Sequence, residues 1–223
     1  MYILERKVLM NKIWEYYESD EKIVEKISKE FNLSKLVSKI LANRGFKEKE
    51  EIQKFLYPTR NDFYDPYLMP DMEIAVERII KAIENKEKIM IYGDYDVDGI
   101  TSVTVLKKFL LERGAIIDQY IPNRLDEGYG LNKTAIDEIS NKGFKLMITV
   151  DCGITGIEEI EYANSLEIET IITDHHEPLE VLPNAIAVVD AKRNDNKYPF
   201  NQLAGVGVVF KLIQAIRQKI KLR

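Results

Sequence analysis

The chain has 223 residues, of which 45% are hydrophobic and 31% are charged, as is typical of a soluble globular protein. It has no run of 18 or more apolar residues, and its N-terminus lacks the continuous apolar core of a signal peptide, so neither a membrane span nor a secretory leader is expected. The formal net charge is -5, and the single cysteine, Cys152, cannot form an internal disulfide, which fits a reducing cytoplasm.

The first part of the chain is predicted to be helical, over residues 1–86. Apolar residues recur three and four positions apart in DEKIVEKISKEF, LSKLVSKILANRG and KEKEEIQKFL. Gly45 is placed to end one helix, and Asp71 is placed to cap the start of DMEIAVERIIKAIENK. The segment LYPTRNDFYDPYLMPD is rich in proline, aspartate and tyrosine, which predicts a boundary or cover segment. We therefore expect a helical N-terminal region at 1–70 and a second domain at 71–223.

From residue 88 the pattern changes to short apolar runs separated by amphipathic stretches. The candidate strands lie at 88–94, 115–122, 145–151, 169–176 and 184–190. The candidate helices lie near 100–113, 131–142 and 155–166, and from Ala204 onward. Apolar strands that alternate with helices indicate βαβ units and a parallel sheet buried on both faces. The predicted fold class is α/β, with a parallel five-stranded sheet flanked by helices.

Acidic residues, and both histidines of the chain, follow these strands. The first strand is followed by Asp94, Asp96 and Asp98, the third ends at Asp151, and the fourth ends at Asp174, His175 and His176. Ligands of open parallel sheets bind outside the carboxyl ends of the strands. Carboxylates with imidazole suit Mn²⁺ or Mg²⁺, and Zn²⁺ fits less well because there is no cysteine cluster. A close pair of such ions can hold a phosphate and lower the pKa of a bound water, and Asp151 is the candidate to bridge them.

The segment GDYDVDGITS has other possible interpretations. An EF-hand loop starting at Asp94 needs glutamate at its twelfth position, where Val105 stands, and it lies between helices rather than after a strand. There is no Walker A or GxGxxG sequence. A solvated turn that caps the next helix would explain one aspartate but not three. The adjacent histidines could belong to a surface loop, but their position at a strand end beside Asp174 favours a metal or phosphate role.

Five segments resemble, in order, the motifs of the DHH phosphoesterase family. They are GDYDVDGITS, IPNRLDEGYGL, TVDCGIT, TDHH and LAGVGVVFKL, and the resemblance covers roughly residues 40–215. The segments are similar in particular to the branch of that family whose members are exonucleases specific for single-stranded DNA. The stretch LYPTRNDFYDPYLMPDMEIAVERI also resembles the segment that precedes the first motif in that branch.

The resemblance implies a role for several residues of the metal site. Asp96 and Asp98 would each bind a metal ion, Asp151 would bridge two ions, and His175 would be a further ligand. Asp94 belongs to the same motif and either binds metal directly or supports the site. Pyrophosphatases of the superfamily have a histidine where Tyr92 stands, which disfavours that activity. Asp190 ends a strand but is left out of the metal set.

Four residues are implied to contact the substrate phosphate: His176, Arg124, Gly205 and Gly207. The alternative for Arg124 is a surface salt bridge with Asp126 or Glu127. The two glycines lie at a predicted helix start, where free N–H groups can hold a phosphate, or where close packing of helix on sheet can require glycine.

The function that the resemblance implies is metal-dependent hydrolysis of single-stranded DNA from its 5′ end, releasing mononucleotides, in recombination and repair. Single-stranded DNA is then the substrate, and a single-strand-binding protein or a helicase is an expected partner. The alternatives are a phosphodiesterase for short RNA or cyclic dinucleotides, and an inactive lobe. In this branch a further metal-binding aspartate, a second catalytic lobe and an oligonucleotide-binding domain follow, so IKLR is expected to end a truncated product.

The segment from Lys192 to Arg223 carries eight basic residues and one acid, Asp195. It could contact DNA or form a solvated basic helix face.

Overall fold

A computed structural model of the chain describes residues 18–221, so the helical prediction for residues 1–17 and the charge of Arg223 lie outside the described residues. The chain divides into two compact units, residues 1–63 and 64–223. The described helices are α1 (Glu21–Phe31), α2 (Lys35–Asn43), α3 (Lys49–Leu56), α4 (Met72–Glu84), α5 (Val97–Leu111), α6 (Lys133–Asn141), α7 (Ile157–Ser165) and α8 (Gly205–Lys221). The strands are β1 (Lys88–Gly93), β2 (Ile116–Tyr120), β3 (Leu146–Val150), β4 (Glu169–Thr173) and β5 (Ala187–Val189). No helix between residues 18 and 221 combines the length and apolar character needed to cross a membrane.

The first unit contains α1, α2 and α3, as the apolar spacing predicted. Their buried residues Ile27, Leu41 and Ile52 form a small core. Gly45 has φ of +90° directly after α2, and the following N–H, that of Phe46, donates to the carbonyl of Leu41 at 3.1 Å. This left-handed turn confirms that Gly45 ends the helix, since glycine adopts positive φ without strain. The boundary between 1–70 and 71–223 stays a prediction.

The second unit contains the expected sheet, and the predicted α/β fold class is confirmed. All strands are parallel, in the order β2-β1-β3-β4-β5. Side chains alternate between the two faces of each strand, so Ile89 and Ile91 join one buried cluster while Met90 and Tyr92 join another. The first cluster includes residues of α4, α5 and α8, and the second includes residues of α6 and α7. Helices therefore cover both faces, which explains why β1, β3, β4 and β5 are almost fully buried, whereas the edge strand β2 is largely exposed and carries Asp118.

Asp71 lies at the N-cap position of α4, but its side chain does not cap the helix. The residue has φ of +56°, and its carboxylate accepts hydrogen bonds from the N–H of Val188 at 3.1 Å and from Arg193 Nη1 at 2.6 Å. The predicted N-cap position is confirmed, but the carboxylate does not cap the helix because a strand amide and a largely buried guanidinium occupy it. Asp71 instead joins the start of α4 to β5 and the segment that follows it.

Candidate metal centre

The acidic residues converge where the strand order reverses. The chain passes from β1 outward to β2 and then crosses to β3, so β1 and β3 are neighbours and the switch point lies between them. Asp94 follows β1 and Asp151 follows β3, the central strand of the sheet. Both residues are buried, at 1% and 2% exposure respectively.

The loop after β1 has a defined geometry. Asp96 is the N-cap of α5, and one of its carboxylate oxygens accepts from the N–H groups of Asp98 and Gly99, both at 2.9 Å. A Cβ at Gly99 would lie 2.7 Å from backbone atoms of Asp94, so only glycine lets α5 start this close to β1. Burial raises the pKa of Asp94 although the nearby backbone N–H groups of Tyr95 and Asp96 act to lower it, and no described residue donates to either oxygen with standard hydrogen-bond geometry. A buried carboxylate without donors is suited to a cation.

Asp151 has φ of +62°, which is strained for a residue with a side chain. Its N–H donates to the carbonyl of Thr173 at 3.0 Å, which fixes the backbone against β4. Its Oδ1 lies 3.1 Å from His175 Nε2, although the contact lacks hydrogen-bond geometry. Burial, followed by the charges of Asp98 and Asp96, raises the pKa of Asp151 to about 8. This carboxylate is therefore costly to ionise unless a cation is nearby.

The two histidines point to different partners. Asp174 is buried, and its Oδ1 lies 2.7 Å from His176 Nδ1 while its Oδ2 accepts from the N–H of Ile154 at 2.9 Å. Burial acts to raise the pKa of Asp174, but the hydrogen bonds from His176 and Ile154 outweigh it and lower that pKa. The hydrogen bond with Asp174 in turn raises the pKa of His176. On its other side, His176 Nε2 lies 3.2 Å from the hydroxyl of Tyr129.

Asp98 lies against the start of α8 rather than in the open. Its Oδ2 accepts from the N–H of Gly205 and its Oδ1 from the N–H of Val206, both at 2.7 Å. The expectation that Gly205 offers a free N–H to a phosphate is therefore not met in this structure, because a carboxylate has taken that donor. Gly207 lies in the first turn of α8, where an added Cβ would meet the side chain of Leu203 at 3.3 Å.

Arg124 is exposed, and its guanidinium carbon lies 5.3 Å from the ring centroid of Tyr95. Within the described residues it forms no ion pair with Asp126 or Glu127, which bind Asn123 instead. The salt-bridge alternative is thus not what the structure contains. The stacked guanidinium keeps donors available to an anion.

The basic segment after residue 192 is largely engaged within its own unit. Lys192 pairs with Glu177 at 3.1 Å, Arg193 with Asp71 and Asp195, and Lys219 with Glu73 and Glu77. Lys211 is buried and donates to the carbonyl of Tyr64. These contacts involve four of the eight basic residues, so the segment is not a simple solvated face, and contact with DNA stays a prediction.

Among the described residues, two sets of three side chains could each hold a metal ion, because the donor atoms within each set lie within 4.8 Å of one another. The sets are Asp94 with Asp96 and Asp151, and Asp151 with His175 and His176. They share Asp151, which the sequence had singled out as the bridging candidate. Oxygen donors with one or two imidazoles fit Mn²⁺ or Mg²⁺, and the donor-free oxygens of Asp94 support that fit.

Of the two residues that hold His176, sequence reasoning named Asp174 without assigning it a role and missed Tyr129. The carboxylate of Asp174 orients the ring, as outer partners of site histidines commonly do, and its only signal was its place directly before the pair. Tyr129 stands between Gly128 and Gly130, both at positive φ, and this glycine-flanked aromatic could have marked a turn built to present its ring.

A parallel α/β sheet with carboxylates and imidazoles at its switch point defines a domain of the divalent-metal-binding class. The chain belongs to the DHH family: the N-terminal domain of that family matches residues 88–223.

The relatives agree with this membership. The single-stranded-DNA-specific exonuclease RecJ of Bacillus subtilis (strain 168) is 45% identical over 203 residues, which are 91% of this chain and 26% of the relative. A crystal structure of exonuclease RecJ bound to manganese has a TM-score of 0.61 and 33% identity, and the match covers 68% of this chain and 38% of that one. RecJ of Thermus thermophilus in complex with Mn²⁺ has a TM-score of 0.67 and 25% identity, with 92% and 29% covered. The chain thus spans about a quarter of the length of the Bacillus relative.

Proposed function

We propose that this chain forms the metal-binding part of a 5′-to-3′ exonuclease for single-stranded DNA that uses two Mn²⁺ or Mg²⁺ ions. The observation that carries the proposal is the pair of donor sets that meet at Asp151. It is supported by relatives named as single-stranded-DNA-specific exonucleases and by a related structure bound to manganese. We place its role in DNA recombination and repair in the cytoplasm, where a single-strand-binding protein or a helicase would be its protein partner.

The proposed ligands are Asp94, Asp96, Asp98, Asp151 and His175. Asp98 can bind a metal ion while it also accepts hydrogen bonds from the start of α8. Each of its carboxylate oxygens has a second lone pair beyond the one that accepts an N–H. When bound, divalent cations of such a site hold the phosphate and lower the pKa of a water molecule.

The proposed phosphate contacts are His176 and Arg124. Asp174 favours the protonated form of His176, in which Nε2 carries a proton that it can donate to a phosphate oxygen. Arg124 offers a planar set of donors while one face of its guanidinium lies toward Tyr95. Gly207 remains a proposed contact through its backbone, whereas the N–H of Gly205 is assigned to Asp98.

The proposal is tested with single-stranded DNA labelled at the 5′ or the 3′ end, with duplex DNA as the control substrate, in Mn²⁺. The variant is Asp151→Ala, and the matched control is Asp118→Asn, an exposed acid on β2. We expect single strands to be degraded by the unaltered chain and by Asp118→Asn, and not by Asp151→Ala or after chelation of the metal.

Each other outcome has a meaning. Equal cleavage by Asp151→Ala would remove the site assignment. A preference for dinucleotides or cyclic dinucleotides over long strands would instead support the alternative function, a phosphodiesterase for short RNA or cyclic dinucleotides. No cleavage by a chain that is folded and binds Mn²⁺ would show that this segment is inactive by itself.

A further inference from the structure

The start of α8 touches two of the proposed metal ligands through a single glycine. The N–H of Gly205 donates to Asp98, and the Cα of Gly205 packs against the side chain of Asp151. We infer that Gly205 is a positioning residue, whose lack of a side chain lets α8 hold both carboxylates in the arrangement that binds metal. This inference rests on the proposed metal centre and assigns Gly205 a role other than phosphate contact.

The steric part of the inference follows from the distances. A Cβ at position 205 would lie 2.7 Å from Cγ of Asp151, 2.8 Å from its Cβ, and closer still to Oδ1. Carbon atoms in non-bonded contact are ordinarily about 3.5–4.0 Å apart. Any residue other than glycine must therefore displace either the carboxylate of Asp151 or the start of α8.

Asp151 has little freedom to move away. Its backbone is held at positive φ and is bonded to β4 through its N–H, and its side chain is only 3% exposed. The displacement must then fall largely on α8, which would draw the N–H groups of Gly205 and Val206 away from Asp98.

Losing those contacts also has an electrostatic cost. The 17-residue helix α8 directs the positive end of its dipole, together with two N–H donors, at Asp98. Asp98 lies in an acidic cluster and is one of the charges that raise the pKa of Asp151. The start of α8 therefore offsets repulsion within the cluster and keeps Asp98 directed at the switch point.

The first test measures Mn²⁺ affinity without DNA, from the electron paramagnetic resonance signal of free aqueous Mn²⁺ during titration. Gly205→Ala is expected to weaken Mn²⁺ binding about 10–100-fold, as loss of groups that orient metal ligands commonly does. The matched control is Gln218→Ala, which also introduces alanine into α8 but lies more than three helical turns beyond Gly205. It is expected to bind Mn²⁺ like the unaltered chain.

Equal affinity of Gly205→Ala and the unaltered chain would overturn the inference and leave the metal centre standing. An equal loss in Gln218→Ala would also overturn it, because the effect would then not be specific to the start of α8. If the unaltered chain binds no Mn²⁺, the proposed metal centre fails, and the inference fails with it.

The second test measures thermal stability, and it applies if the Gly205→Ala chain is too unstable for the Mn²⁺ titration. Gly205→Ala should lower the thermal midpoint of the metal-free protein, and Asp151→Gly should remove the atoms with which the new methyl group collides. Gly205→Ala should therefore lower the thermal midpoint much less in the Asp151→Gly background than in the unaltered chain. The helix-forming advantage of alanine over glycine is present in both backgrounds and cancels in the comparison. The same loss in both backgrounds would contradict the assigned contact.

Discussion

Asp190, which follows β5, is fully buried and is the subject of a prediction about stability. Its Oδ1 accepts from the N–H of Lys192 at 2.7 Å, and Oδ2 has no hydrogen-bond partner among the described residues. Burial raises its pKa from the ordinary 3.8 to about 7; Asp174 adds to the rise, while Lys192 and His176 oppose it. We predict that Asp190→Asn stabilises the metal-free protein at pH 8.

The size of this stabilisation follows from the shift in the pKa of Asp190 and from the direction of that shift. Between about pH 4 and 7 the folded state keeps the Asp190 proton while the unfolded state releases it, so stability falls as pH rises. At about 1.4 kcal/mol for each pH unit, the loss above pH 7 is ~4 kcal/mol. The asparagine amide replaces Oδ2 and lacks an acceptor, which costs about 1–3 kcal/mol. The net gain of Asp190→Asn at pH 8 is therefore about 1–3 kcal/mol.

The assay is urea unfolding of the two proteins in a metal chelator at several pH values from 4 to 8. The free energy of unfolding of Asp190→Asn, relative to the unaltered chain, should rise with pH by up to about 1.4 kcal/mol for each unit and level off above pH 7. A difference that does not change with pH would refute the reasoning, since a buried carboxylate would then not be titrating.

Three further predictions concern contacts and metal. Tyr92→Phe removes a hydroxyl that donates to the carbonyl of Gly130 and accepts from Asn132. It should lower the free energy of unfolding, measured in urea, by about 1–3 kcal/mol. An unchanged urea midpoint would contradict these hydrogen bonds. Arg193→Met leaves the carbonyl of Val188 without its side-chain donor and leaves Asp71 with only the N–H of Val188, so it should cost about 2–4 kcal/mol by the same measurement. A stabilised variant would count against the contact. Mn²⁺ at a hundred times its dissociation constant should stabilise the folded chain by about 2.7 kcal/mol. This stabilisation should raise the thermal midpoint, and a chelator should reverse the rise. An unchanged midpoint would argue against a preformed metal site.

The positions of the strands and of the acidic residues that follow them could be predicted because they depend on local pattern. The run KIMIYGD is apolar over a strand's length and ends in glycine and aspartate, and β1 covers Lys88–Gly93 as expected. The predicted strand at 184–190 is shorter in the structure, at Ala187–Val189, because β5 pairs with β4 only from Ile171 to Thr173. Parallel strands present their carboxyl ends at one edge, so the residues that follow them were predictable as a group.

The sequence by itself therefore determined the fold class, the edge at which the acids collect and the chemistry of the donors, because these follow from periodicity and residue type. Only the tertiary structure decided the strand order that makes β1 and β3 neighbours, since every apolar strand here could pair with any other. It also decided contacts across long separations: Asp98 lies 107 positions before the N–H of Gly205 that it accepts. Asp71 lies at the predicted N-cap position, but its carboxylate binds Arg193 for the same reason. The partner of a carboxylate is the strongest donor that packing brings within reach, and no local pattern encodes that donor.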